Sequence, residues 1–197
     1  MFASKRVLCE ISEAEDDSWD SIANGPMYEQ QLYAVLDVFY EREAAKGAIA
    51  DAALIEDDAL LGRLVDAGLT ATTLPALQLA PIAFVAWASD SVTEAESIAT
   101  VAAIYEAELF NQPIAASKVQ TWLDRRPTQE LWDLWADYTQ YRLNDLSAIS
   151  RQTMARLLLR QATQVAIASG GFMGFSGICK AENVLLQKIR DVFYARD

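Results

Sequence analysis

The stretch Trp87-Ala88-Ser89-Asp90-Ser91-Val92-Thr93-Glu94-Ala95-Glu96 decides the fold class. An apolar helical run ends at Trp87, a short acidic turn follows, and a second helix begins. Thr93 and Glu96 stand in the Thr-x-x-Glu spacing of a capping box. There the hydroxyl accepts one orphan amide proton and the carboxylate reaches back for another. Asp90 and Glu94 also sit well beside the positive end of a helix dipole. The same three acids, Asp90, Glu94 and Glu96, supply oxygens of the type that bind Ca²⁺ or Mg²⁺. Capping and cation binding therefore both stand as readings of this junction.

Outward from the junction, the pattern stays helical. The apolar run Leu74–Ala88, interrupted by Pro75, Gln78 and Pro81, reads as a buried, kinked core helix. It is shorter than the roughly 20 residues of a membrane-spanning helix. Further helices are predicted over Leu54–Asp66, Thr93–Phe110, Ala115–Arg125, Thr128–Leu143, Ser147–Ala168 and Cys179–Ala195. The Ser147–Ala168 helix carries a stripe of Met154, Leu157, Leu158, Gln161, Ala162, Val165 and Ala168. Before them, Tyr28, Leu32, Val35, Leu36 and Phe39 recur at helical spacing up to Lys46-Gly47. The Asn24-Gly25-Pro26 turn opens that first helix. No window alternates with period two, so no sheet is expected. The expected fold class is all-α, a compact multi-helix bundle with a pseudo-two-fold. Residues 1–24 are expected to form an acidic, loosely structured arm and residues 25–197 one helical domain.

Composition narrows the chemistry. The chain has no His, which removes the commonest general base and metal ligand. Two cysteines, Cys9 and Cys179, are too few for a disulfide framework or a structural zinc site. A reducing cytoplasm is the expected location. The net charge of -12 repels nucleic-acid backbones and anionic membranes. Charge is uneven: residues 151–197 carry +4 and residues 1–150 carry -16. Six acids and no base lie between Glu10 and Asp20.

A weak internal repeat links two junctions. Val85-Ala86-Trp87-Ala88-Ser89 is similar to Val165-Ala166-Ile167-Ala168-Ser169, and each precedes a similar helix start. On these residues the chain resembles the tellurite-resistance TerB-like family. Its members carry Ala-Asp-Gly-x-Ile/Val-x-x-x-Glu between two helices, often twice, in an all-helical pseudo-symmetric fold. Ala88, Val92 and Glu96 match; Ser89 stands at the motif Asp and Asp90 at the motif Gly. The second copy, Ser176-Gly177-Ile178-Cys179-Lys180-Ala181-Glu182, keeps the Gly-to-Glu side and lacks the Asp. The resemblance spans about Leu54 to Asp197. It implies a stress-response interaction module, with the acidic residues associated with metal binding.

Other residues offer themselves to a partner. Arg156 and Arg160 share a helix face and suit a phosphate or carboxylates. Trp132 and Trp135 belong to an aromatic helix that is either sandwiched in the core or partly an interface. Phe172 and Phe175, in the Gly170–Gly177 run, either plug the core or form a docking tip.

Three functional readings follow. The first is a non-catalytic binding or adaptor protein with a protein partner, without nucleic acid and without a cofactor beyond weak Ca²⁺ or Mg²⁺. The second is a carboxylate-based metal-dependent enzyme or metal sensor using Asp90, Glu94 and Glu96. The third is an acidic decoy that captures a basic protein.

Overall fold

The computed structural model describes residues 26–168 and 177–194. Among them stand eight α-helices and no strand: α1 Pro26–Ala53, α2 Asp58–Asp66, α3 Ala80–Ala86, α4 Glu94–Glu106, α5 Pro113–Asp124, α6 Gln129–Leu143, α7 Ala148–Ala168 and α8 Lys180–Tyr194. Short 3₁₀ turns occupy Leu74–Leu79 and Leu109–Asn111. The expected all-α class is what the chain adopts. The acidic arm and the Gly170–Ser176 run, with Phe172 and Phe175, lie outside the described residues.

The chain divides into two units, Met1–Ala44 and Ala45–Asp197, with the division inside α1. The sequence pattern carries the first helix to about Lys46-Gly47, but α1 continues to Ala53. Lys46, Ile49 and Ala53 are buried one helical turn apart, and Lys46 forms an ion pair with Asp58. That anchorage outweighs the cost of one helical glycine, about 1 kcal/mol.

Helix ends follow local chemistry. Leu54 takes a left-handed conformation, φ 54°, and Ile55 N–H reaches back to the Ala50 carbonyl. Gly68, φ 67°, does the same after α2, where Leu69 N–H bonds the Leu64 carbonyl. Both are Schellman closures, in which glycine is the usual occupant. The α2 start lies at Asp57, whose side chain accepts from Leu60 N–H, three residues after the predicted start. The expected kink of the core helix is a change of helix type. The Leu74–Leu79 stretch is 3₁₀, and α3 begins just before Pro81. A proline ring lacks the amide proton and clashes with the preceding turn, so one α ladder cannot run through it.

In the Ala45–Asp197 unit, α3 is the central element. Ala80, Pro81, Ile82, Ala83, Val85 and Ala86 are all buried. It packs against α5, α6, α7 and α8, while α7 also carries α4 and α8. Alanines buried on α3 and on α7 (Ala155, Ala162, Ala166) let helices approach closely. Leu157, assigned to the α7 stripe, is exposed, and Ala155 and Ala166 join the buried face instead. Helix α6 is covered by α2, α3 and α8. Trp132 and Trp135 consequently lie in the core, edge-to-face with each other, with Phe84 against Trp132 and Phe193 against Trp135. Of the two roles left open for them, they take the sandwiched one and present little surface to a partner.

Candidate functional site

The first junction is built around a buried carboxylate. Glu96 is 0% exposed. Its Oε2 accepts the Thr93 backbone N–H at 2.6 Å and the Thr93 hydroxyl at 2.8 Å. The Glu96 N–H donates in return to Thr93 Oγ1 at 3.3 Å, which completes the capping box. The Glu96 carbonyl accepts from the Thr100 hydroxyl. Its other carboxylate oxygen, Oε1, is buried without a hydrogen-bond partner.

The second junction repeats this plan with different chemistry. Cys179 N–H donates to Glu182 Oε2 at 2.6 Å, and Glu182 N–H points to Cys179 Sγ at 3.4 Å. Glu182 is 1% exposed. A thiol thus stands where Thr93 stands in the first copy. Sulfur is a weak acceptor, so no capping signature at Cys179 was readable.

The three candidate metal ligands take separate directions. Asp90 is exposed and pairs with Arg126 at 2.6 Å. Glu96 is folded inward onto its own helix start, and Glu94 is exposed. Among the described residues no three His, Cys, Asp or Glu side chains gather as a metal-holding group. Asp90 has φ 68°, a left-handed conformation. It is the residue that stands where the TerB-like motif has glycine.

Arg160 pairs with Glu106 at 2.9 Å, and Gln161, buried on the same helix, reaches the same carboxylate. Arg156 is exposed. A groove of about 930 Å³ runs between α2, α5 and α6, walled by Arg63, Lys118, Arg125 and Arg126. Asp66, Glu130 and Asp133 are interleaved with these cations. The Glu130 carboxyl is held below the usual range by the Thr128 hydroxyl and its own backbone amide. The signs along the groove therefore alternate, and it is not a dedicated anion cradle.

The most distinctive surface is apolar. In the Met1–Ala44 unit, α1 exposes Leu32, Tyr33, Val35, Leu36, Val38, Phe39 and Tyr40. Val35 is 67% exposed and Phe39 55%. Among these, Leu32, Val35, Leu36 and Phe39 are the residues whose helical spacing is legible in the sequence, which does not say what covers them. In the Ala45–Asp197 unit a smaller apolar patch joins Ile98, Val101 and Tyr105 of α4, with Phe110 stacked on Tyr105 at 4.8 Å.

Comparison of the chain with protein-family models, with curated proteins and with solved structures finds no match. No described helix is long and apolar enough to cross a membrane.

Proposed function

We propose that this chain is a non-catalytic binding module of the TerB-like kind, acting by holding another polypeptide along α1. One observation carries the proposal: seven large apolar side chains stand exposed on one helix between Leu32 and Tyr40. Monomeric proteins rarely expose contiguous apolar surface of this extent without a partner for it. The TerB-like reading draws support from the two buried junction glutamates and from Asp90 at the motif glycine. It also draws on the way α4 and α8, the helices after the two junctions, both pack on α7.

A photo-crosslinking residue at Val35, in the full chain expressed in its own cells, tests the binding role. The expected result is a discrete adduct at Val35 that is absent when the probe sits at Gln152, an exposed position on α7. Equal labelling at both positions, or none at either, contradicts the proposal.

A tightly held metal is not part of this reading, because Asp90 and Glu96 are committed to Arg126 and to the α4 cap. Calorimetric titration with Ca²⁺, Mg²⁺ and Zn²⁺ after chelation should show weak binding at most. Submicromolar binding that Asp90→Asn abolishes would overturn this and favour a metal sensor or carboxylate enzyme.

A further inference from the structure

The Ala45–Asp197 unit contains a cleft of about 640 Å³ where three helix ends meet. Its walls are the last turn of α3, the Arg126–Gln129 segment that leads into α6, and the first turns of α8. These three helices all pack on one another. Phe84, Trp87, Val184 and Leu185 give the cleft an apolar lining. Two of the rings are fixed from behind: Phe84 lies edge-to-face on Trp132, and Trp87 Nε1 donates to the Trp122 carbonyl at 2.9 Å. The polar side chains in the wall are Arg126, Gln129 and Lys180, and none is an acid. The whole chain carries 28 acidic and 16 basic residues, so a wall with two cations and no carboxylate runs against its overall charge.

The three polar groups differ in what they leave open. Gln129 Nε2 donates to Asp133 at 2.8 Å. Arg126 Nη1 donates to the exposed Asp90, which leaves the other guanidinium donors. Lys180 is exposed, and its ammonium meets no acceptor among the described residues. It is the first residue of α8, at the positive end of that helix dipole, where a cation is disfavoured. The acid in that first turn does not offset it: Glu182 is buried, with Oε2 accepting the Cys179 N–H. A local rule broken without compensation marks a functional position.

We infer that this cleft binds a small monocarboxylate with an apolar body, its carboxylate held by Lys180 and Arg126. Small-molecule sites are clefts of roughly 300–1,000 Å³, mostly apolar, with a few polar groups that orient the ligand. The cleft has that size and that make-up. Placement along the helices sets the orientation. Phe84 lies three residues before Trp87, and Val184 and Leu185 lie one turn after Lys180. The apolar side chains therefore sit one turn in from the helix ends that carry the cations. Arg126 already faces Asp90, so the charge left to balance is that of Lys180 alone. A single carboxylate matches it, whereas a doubly charged phosphate does not. An anion there also lies favourably beside the α8 N-terminus. This site is independent of the binding role proposed for α1.

Calorimetric titration of the full chain with naphthoate and with decanoate tests this, with naphthalenemethanol as a neutral counterpart. Either acid should bind more tightly than the alcohol. Lys180→Gln should weaken the acids about fivefold, the weight of one exposed ion pair, and leave the alcohol unchanged. Val184→Ser, on the apolar lining, should weaken acid and alcohol alike. Lys180→Gln should also raise the urea midpoint, because it removes a cation from the positive end of α8. Absence of binding by both acids at millimolar concentration overturns the inference, as do acids that bind no better than the alcohol. An affinity indifferent to Lys180→Gln or to Val184→Ser overturns it too. So does a lower urea midpoint for Lys180→Gln, since Lys180 would then serve the fold itself.

Discussion

Glu96 and Glu182 each fold back onto the first turn of their own helix, and each is buried there. A buried carboxylate is costly unless its oxygens are engaged, and Glu96 engages only one of them. The engaged oxygen takes two protons from Thr93, so it fixes both the start of α4 and the angle at which the chain leaves the junction. Replacing Glu96 by Ala should cost about 0.5–2 kcal/mol, the range of helix-cap losses. Glu96→Gln, which retains an oxygen for the Thr93 amide, should cost less. Urea unfolding of both variants checks the order; an Ala variant as stable as the parent contradicts the capping role. The Thr93-x-x-Glu96 box was legible because a hydroxyl three residues before Glu is a known pairing. Its twin at Cys179 was not, because a thiol gives no such signal. That Asp90 turns to Arg126 was equally hidden, since the two are far apart in sequence.

At the scale of elements, the boundaries of α5 to α8 fall within two residues of their sequence-based positions. Proline starts and periodic apolar residues mark them on the chain itself. Helix α1 was cut short because Lys46-Gly47 resembles a stop signal. What overrides it is tertiary: Ile49 and Ala53 are held in the core of the Ala45–Asp197 unit. Gly47 is exposed within the helix, and an added Cβ there meets nothing within 4 Å. Gly47→Ala should therefore stabilise the protein by about 0.5–1 kcal/mol, by reducing the freedom of the unfolded chain. The gain should appear as a higher urea midpoint with an unchanged slope. A loss of stability would show that α1 is not continuous through Gly47. The start of α2 was misplaced for a related reason. Leu54 looks like the first apolar residue of a helix, but it is the left-handed residue that closes α1.

At the scale of the whole molecule, periodicity reveals that a helix has an apolar face but not what covers it. The α1 stripe and the α7 stripe look alike on the chain, yet most of the second is buried and the first is exposed between Leu32 and Tyr40. Trp132 and Trp135 posed the reverse problem: aromatic residues that suit an interface are enclosed because three helices surround α6. The central claim is that the exposed α1 stripe serves another polypeptide and not this chain's own core. Equilibrium urea unfolding of the double variant Leu32→Ser, Phe39→Ser, at a protein concentration low enough to keep chains apart, tests it most directly. Substitutions at sites already exposed change stability little, so the expected difference from the parent is within about 0.5 kcal/mol. A loss of about 3 kcal/mol or more, the scale of emptying a packed core site, would contradict the claim and return the stripe to the protein's own interior.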